Sequence, residues 1–272
     1  MSAKNDFYNF VEKMFVRIEE NNIYYEILNP DFANASNPFL VFLHHGLGSV
    51  KQWKDFPSLL SLKLHLPALV YDRIGYGLSS PLIEKKTLEH WAKDIENLKK
   101  LIDALKINNP LILFGHSDGG TLALMYAAKY PQNVFAVITE AHHIKIEDQT
   151  IEGIKEAIQQ YENGNLREKL YQYHGDKTDK VFYDWADLWI SKEALDDNLE
   201  NLITQINAPI LSIQGKNDEY GTEYQINIIK EKSKNPKTKT LLIENCKHFP
   251  HFEHTNTVIT EVVKFINSLI ND

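Results

Sequence analysis

The sequence predicts an α/β fold in which a mostly parallel sheet carries helices on both faces. Short continuous apolar runs of strand length recur along the 272 residues, which is the pattern of strands buried on both sides. Segments whose apolar residues follow helical spacing alternate with these runs. This alternation is typical of parallel sheets whose strands are joined by helical crossovers. The chain is 43% apolar, and its length is sufficient to bury such a core.

The predicted strands begin with a hairpin and continue as buried strands. Residues 14–18 and 23–28 are rich in β-formers and flank the polar residues Glu20, Asn21 and Asn22, which indicates a turn. Each later strand is predicted from a continuous apolar run. These strands are expected at residues 39–43, 68–71, 111–114, 134–138, 209–214 and 240–243.

Helices are predicted between the strands. The strongest pattern lies over residues 88–105, where Trp91, Ile95 and Leu98 belong to one apolar face with spacings of three and four. Another helix, rich in helix formers, is expected to end before Pro131, because proline cannot continue a helix. The remaining helices of the predicted core are expected at residues 53–62, 223–232 and 258–269.

The segment 142–207 differs from the rest of the chain. Its residues are charged, aromatic and helically patterned, and it contains no continuous apolar run. A stretch of about 65 residues is much longer than a crossover made of one helix. We therefore predict that residues 1–141 and 208–272 form the core, and that residues 142–207 form a helical insertion that covers the sheet as a lid.

The overall charge and the cysteine content limit the classes of function. A net charge of −8 argues against a nucleic-acid-binding face. The one cysteine, Cys246, cannot form an internal disulfide, which fits a reducing compartment. No basic segment followed by an apolar run opens the sequence, and no apolar stretch approaches bilayer length. We expect a cytoplasmic protein, monomeric or homodimeric, without a nucleic-acid or membrane partner.

A Gly-x-Ser-x-Gly pattern lies between a predicted strand and a predicted helix. It reads Gly115, His116, Ser117, Asp118 and Gly119. Strand, motif and helix in this order form the nucleophile elbow, a sharp turn that presents the serine at its apex. The free N–H groups at the start of the helix favour negative charge beside that serine. Ser117 is therefore the candidate nucleophile.

Two further residues complete a candidate catalytic triad with Ser117. In a parallel sheet, functional residues gather at the carboxyl ends of the strands, and Asp218 and His248 each follow a predicted strand. A serine hydroxyl is a weak nucleophile until a base removes its proton. We predict that His248 is this base and that Asp218 orients its ring, in the chain order Ser, Asp, His.

The sequence leaves other assignments open. Glu140 also follows a strand and is an alternative orienting carboxylate. His251 and His254 lie near His248, but their spacing of three across Pro250 does not match the helical histidine pair of a zinc site. We expect no metal and no cofactor.

The remaining predicted site residues stabilise the oxyanion or contact the substrate. The N–H of Asp118, which follows the nucleophile, and the N–H of Leu47, in the glycine-containing loop after residues 39–43, are the candidate oxyanion donors. The residues predicted to contact the substrate are His45, His116, Trp185 and Trp189.

From about residue 39 to residue 270, these features resemble the α/β-hydrolase superfamily. The resemblance implies an eight-stranded sheet with one antiparallel strand and a helical lid between the sixth and seventh strands. This sequence departs from the usual pattern where Ile74 separates Arg73 from Gly75, and where Lys247 replaces the glycine before the histidine. The motifs that carry the resemblance are His45-Gly46-Leu47, residues 72–79, residues 115–120, Gly215-Lys216-Asn217-Asp218, and His248 with Glu253.

The resemblance implies a serine hydrolase that cleaves a small carboxylic ester through an acyl-enzyme intermediate. The superfamily includes carboxylesterases, valacyclovir hydrolase and the meta-cleavage C–C hydrolases, so a C–C bond hydrolase and a non-catalytic ligand-binding protein remain alternatives. In valacyclovir hydrolase, an aspartate after the nucleophile is associated with amino-ester substrates. Asp118 is accordingly open to two roles, pairing with a substrate amine or interacting with the helix N-terminus.

Overall fold

The computed structural model describes residues 11–34, 36–191 and 199–270, and they contain one eight-stranded sheet. The strand order is β1-β2-β4-β3-β5-β6-β7-β8. Strand β2 is antiparallel to both of its neighbours, and all pairs from β4 to β8 across the sheet are parallel. The predicted fold class is therefore confirmed. The strands are β1 Val11–Ile18, β2 Asn21–Leu28, β3 Phe39–Leu43, β4 Ala68–Tyr71, β5 Leu111–His116, β6 Val134–Glu140, β7 Ile210–Gly215 and β8 Lys239–Ile243.

Helices cover both faces of the sheet. No helix in the part of the chain that the structure describes is both long and apolar enough to cross a bilayer. The described helices are α1 Phe56–Leu64, α2 Glu89–Ala104, α3 Asp118–Lys129, α4 Asp148–Asn163, α5 Leu166–His174, α6 Thr178–Trp189, α7 Glu200–Ile203, α8 Tyr224–Lys232, α9 Pro250–Glu253 and α10 Thr255–Ile270.

Strand β3 is apolar throughout because its two faces pack against different cores. Leu40 and Phe42 of β3 belong to the core that includes α1 and α10, whereas Val41 and Leu43 belong to the core that includes α2 and α3. Side chains alternate between faces along a strand, so a strand covered on both sides needs apolar residues at every position.

Several predicted boundaries shift in the structure, and the two described here are at the first strand and the first helix. The first strand begins at Val11 rather than residue 14, because its ladder with β2 continues to the pair Val11 and Leu28. The helix predicted over residues 53–62 is instead a 3-10 turn, Val50–Trp53, followed by α1. Pro57 lies in the first turn of α1, where its missing N–H costs no intrahelical hydrogen bond.

The insertion, residues 142–207, lies between β6 and β7 in the chain. Its described residues form helices α4 to α7 and contain no strand. Helices α4, α5 and α6 pack against one another. The separation of the chain into a core and a lid stays a prediction.

Candidate active site

The elbow at Ser117 has the backbone conformation of a sharp turn. Ser117 lies between β5 and α3 with φ 54° and ψ −122°, a sparsely populated region for a residue with a side chain. Its N–H donates to the Glu140 carbonyl at 2.8 Å, and its carbonyl accepts the N–H groups of Gly120 and Thr121. These hydrogen bonds hold the turn from the neighbouring strand and from the first turn of α3.

The two motif glycines allow the strand and the helix to approach this closely. A Cβ atom on Gly115 would lie 2.2 Å from the Gly119 carbonyl oxygen. A Cβ atom on Gly119 would lie 2.0 Å from the Leu43 carbonyl oxygen. Neither position can carry a side chain without moving the backbone that presents Ser117.

Asp218 and His248 form a buried hydrogen-bonded pair. His248 Nδ1 lies 2.8 Å from Asp218 Oδ1 and 2.9 Å from Oδ2, and the two residues are 5% and 1% exposed, respectively. Burial opposes a charged imidazole, but the Asp218 carboxylate outweighs it and raises the pKa of His248 above its ordinary value. Burial likewise opposes the carboxylate, but His248 outweighs it and lowers the pKa of Asp218. His248 is therefore a stronger base than an isolated histidine.

Three groups besides His248 hold Asp218 in place. Gln214 Nε2 donates to Oδ2 at 2.7 Å, and the Tyr220 N–H donates to Oδ1 at 2.8 Å. The Gln149 side chain, from α4 of the insertion, donates to the Asp218 backbone carbonyl. The Tyr220 ring also packs against the His248 ring, with centroids 4.6 Å apart. The carboxylate is thus fixed by contacts besides that with His248.

Ser117 and His248 line the same cavity, which has a volume of about 210 Å³. Ser117 is 8% exposed. Within the described residues, no hydrogen bond joins the Ser117 hydroxyl to His248. Catalytic hydrogen bonds of this kind are often long or misaligned before a substrate binds. The structure thus brings the candidate nucleophile and the candidate base to one cavity.

The cavity is largely apolar, and its described lining residues include no aspartate, glutamate, lysine or arginine. Among them, His45, His143 and His248 can become positively charged by protonation. Its polar groups include the side chains of Gln52, Thr150 and Tyr220. Burial and the nearby His248 lower the pKa of His143 to about 4, so this ring is neutral at neutral pH. The main apolar lining residues are Leu47, Ile154, Leu166, Leu170, Trp185, Trp189 and Phe249.

Three of the four predicted substrate contacts line this cavity, and one does not. His45, Trp185 and Trp189 are lining residues. His116 is fully buried outside the cavity, and its Nε2 donates to the His248 backbone carbonyl at 2.7 Å. The structure therefore does not support the predicted contact between His116 and substrate, because the last residue of β5 points into the protein beneath the site.

The two candidate oxyanion donors lie in the loop after β3 and at the start of α3. The Leu47 N–H follows β3 and is 3.3 Å from His45 Nδ1, a long hydrogen bond. Asp118 is the first residue of α3, so its N–H has no acceptor within the helix. Their role in stabilising an oxyanion stays a prediction.

The Asp118 side chain is engaged in a buried ion pair. Its Oδ2 lies 2.5 Å from Arg73 Nη1, and its Oδ1 accepts from Trp91 Nε1 at 3.0 Å. Burial opposes its charge, but Arg73 outweighs it and lowers the pKa of Asp118. This carboxylate is not a lining residue of the cavity. Of the two open roles, the structure does not support pairing with a substrate amine.

Glu140, the alternative orienting carboxylate, faces a different histidine. Its Oε2 lies 2.6 Å from His251 Nδ1, and both residues are buried. Asp218 is therefore the carboxylate in contact with His248. No cluster of three or more potential metal ligands is found among the described residues.

Several residues that line the cavity are not among those predicted from the sequence. Gln52, His143, Tyr220 and Phe249 line the cavity. His143 and Tyr220 each follow the carboxyl end of a strand, so their position relative to β6 and β7 was the available signal. Nothing in the sequence distinguished Gln52 from an ordinary surface glutamine.

Comparisons with known proteins agree with the fold and the motifs. The sequence pattern of the family described as alpha/beta hydrolase fold matches residues 38–183. A proline iminopeptidase from Saccharolobus solfataricus is 25% identical in an alignment 300 residues long, which covers 95% of this chain and 93% of that protein. Serine hydrolase BPHL from Mus musculus is 30% identical over 180 residues, covering 63% of this chain and 60% of that protein.

A solved structure of a bacterial membrane phospholipase A superposes with a TM-score of 0.78 at 19% sequence identity. The match covers 96% of this chain and 87% of that chain. At this level of identity, the likeness concerns the fold alone. Because the family pattern spans more than half of the sequence, the chain belongs to the α/β-hydrolase family.

Proposed function

We propose that this protein is a serine hydrolase that cleaves small, uncharged carboxylic esters through an acyl-enzyme intermediate. The observation that carries the proposal is the buried Asp218–His248 pair beside the cavity that Ser117 lines. Since the His248 Nδ1–H donates to Asp218, a neutral ring presents its Nε2 lone pair as a base.

The proposed reaction has two halves. Ser117 Oγ attacks the acyl carbon while its proton passes to His248 Nε2, and the N–H groups of Leu47 and Asp118 stabilise the oxyanion. The imidazolium then gives its proton to the departing alkoxide, which leaves an acyl-serine. Water, deprotonated by His248, releases the carboxylic acid and restores Ser117. No cofactor takes part.

The cavity supports a small neutral substrate. Its volume of about 210 Å³ is below the range of about 300–1,000 Å³ that is typical of drug-sized ligands. The described lining residues include no aspartate or glutamate that would neutralise a substrate ammonium group. Burying an ammonium group without an anionic partner is unfavourable. An acyl group of short to medium length without an α-amino group fits this lining better.

Covalent labelling tests the nucleophile directly. We expect a fluorophosphonate probe to label the wild-type protein and to fail on Ser117→Ala. Ser268→Ala is the matched control, because its hydroxyl bonds to the Phe265 carbonyl within α10, away from the cavity. If the folded wild type remains unlabelled, the proposal fails and a non-catalytic ligand-binding protein becomes the better explanation.

A substrate panel tests the substrate class. We expect p-nitrophenyl esters of short acyl chains to be hydrolysed, and the matching α-amino esters to be hydrolysed less efficiently. A C–C bond hydrolase would instead prefer a dienedione over every ester. Equal or better turnover of the α-amino esters would contradict the neutral-substrate part of the proposal.

A second candidate function is iminopeptidase activity on proline. It is favoured by the similarity to a proline iminopeptidase across 95% of this chain. A prolyl arylamide and an N-acetylprolyl arylamide separate the two candidates. Turnover of the free prolyl compound at a rate well above that of the esters would favour the second candidate.

A further inference from the structure

One histidine of the insertion is hydrogen-bonded to the loop that carries Leu47. His174 is the last residue of α5 and is 3% exposed. Its Nδ1 accepts the Gly77 N–H at 3.0 Å, and its Nε2 lies 3.0 Å from the Leu47 carbonyl oxygen. An N–H can only donate and a carbonyl can only accept, so these partners require the neutral tautomer with hydrogen on Nε2. Burial lowers the pKa of His174 to about 4, which keeps the ring neutral at neutral pH.

The bond to Leu47 restrains the backbone of a proposed oxyanion donor. The Leu47 N–H and the Leu47 carbonyl belong to one residue and are separated by its φ and ψ alone. Fixing the carbonyl therefore limits the directions in which the N–H can point. The other bond of His174 ties the same ring to Gly77, in the loop after β4.

A second contact from the insertion reaches the same loop. Trp185 of α6 packs so closely on Gly46 that a Cβ atom there would lie 2.4 Å from Trp185 Cδ1 and 2.6 Å from Nε1. The insertion thus touches this loop at two consecutive residues, Gly46 and Leu47, through two different helices.

We propose that His174 is a positioning residue: by binding the Leu47 carbonyl, it orients the Leu47 N–H. Placement of the insertion on the sheet would thereby complete the oxyanion hole. This inference rests on the proposed function, in which the Leu47 N–H stabilises the oxyanion. Movement of α5 away from the β3 loop would break the His174–Leu47 bond and free the donor to turn. The geometry thus couples coverage of the cavity to its competence in acyl transfer.

Two substitutions separate the two hydrogen bonds of His174. In His174→Gln, the side-chain amide reaches the position of Nε2 and can still donate to the Leu47 carbonyl. In His174→Asn, the shorter side chain reaches the position of Nδ1, where it can accept the Gly77 N–H but cannot reach Leu47. Each variant loses one hydrogen bond, so the pair is matched in the number of contacts removed.

We expect the two variants to differ in turnover of a p-nitrophenyl ester. His174→Asn should lower kcat about tenfold with little change in KM, because a donor acts mainly in the transition state and misplacing it is milder than deleting it. His174→Gln should retain kcat near the wild-type value. Affinity for a trifluoromethyl ketone, which forms a tetrahedral oxyanion adduct, should fall in parallel with kcat in His174→Asn. Affinity for the matching methyl ketone should not change.

The outcomes distinguish this inference from the proposed function. If the wild type neither reacts with a fluorophosphonate nor hydrolyses esters, the proposed function fails. If the wild type is active but the two variants lose kcat equally, or lose only KM, His174 has a structural role and the inference is overturned. Thermal unfolding of both variants identifies a loss of activity that follows a loss of folded protein, and such a common loss also counts against the inference.

Discussion

Two buried carboxylate–histidine pairs lie side by side in this protein. Asp218 contacts His248 at 2.8 Å, and Glu140 contacts His251 at 2.6 Å. The ring of His116 lies between them, with centroids 5.1 Å from His248 and 4.9 Å from His251. Each pair joins a carboxylate to a histidine Nδ1, and all four residues are buried.

The pairs differ in what lies beyond the histidine. His248 lines the cavity that contains Ser117, whereas His251 lines a neighbouring cavity of about 290 Å³ that does not. Within the described residues, Glu140 Oε1 has no hydrogen-bond partner, while both oxygens of Asp218 are occupied. We therefore expect only the pair whose histidine lines the Ser117 cavity to take part in catalysis. Access of its free ring nitrogen to a nucleophile is the additional requirement.

The largest difference between the pairs is expected in turnover. Asp218→Asn should lower kcat for a p-nitrophenyl ester by about 10⁴-fold, since the amide favours the wrong imidazole tautomer and cannot stabilise the imidazolium. Glu140→Gln changes the same chemical group in the other pair and is the matched control. Steady-state kinetics of both variants should show a small effect for Glu140→Gln. Comparable losses in the two variants would mean that the pairs act as one unit.

Truncation of Glu140 is expected to lower the stability of the protein rather than its turnover. Glu140→Ala leaves His251 buried without its partner and should lower the free energy of unfolding by about 3 kcal/mol. Urea unfolding at neutral pH measures this loss, and kcat per folded molecule should remain close to that of the wild type. Full stability combined with a loss of kcat as large as that of Asp218→Asn would contradict a structural role for Glu140.

The pH dependence of activity should report on one pair alone. His248 acts as a base only when neutral, so kcat/KM should fall as the pH drops through its pKa, which Asp218 raises above the ordinary value. Asp218→Asn removes the group that raises this pKa while burial still lowers it, so the acid limb should move to lower pH. Glu140→Gln should leave the limb unchanged. A limb that moves in Glu140→Gln instead would contradict the assignment of this limb to His248.

The sequence was sufficient to predict the sheet and the positions of Ser117, Asp218 and His248 after three of its strands. Both features depend on local sequence pattern. Continuous apolar runs mark strands buried on both faces, and strand ends in a parallel sheet meet at one edge. Choosing between Asp218 and Glu140 required distances, since both follow strands. The sequence could not show which of the two carboxylates reaches His248 and which reaches His251.

Contacts between distant segments were beyond the sequence as well. The ion pair of Asp118 with Arg73 joins residues 45 positions apart, and the bond of His174 to Leu47 joins residues 127 positions apart. Such pairs leave no local pattern. The sequence also could not show that the predicted substrate contact His116 is fully buried, with its Nε2 donating to the His248 backbone carbonyl.

The smallest effect we predict concerns the support of Asp218, which the Glu140 pair lacks. Gln214→Leu removes the donor to Asp218 Oδ2 and should lower kcat about tenfold with KM unchanged, in line with the loss of one hydrogen bond to a charged group. Gln225→Leu is the control, because Gln225 is another buried glutamine whose amide bonds to the backbone of Ile144 and Lys145 instead. Both variants should lose stability, as measured by thermal unfolding, but only Gln214→Leu should lose turnover per folded molecule. Equal kcat in the two variants would mean that His248 and Tyr220 suffice to hold Asp218. The hydrogen bond that Asp218 accepts from Gln214, and that Glu140 Oε1 lacks, would then not explain a difference in function between the pairs.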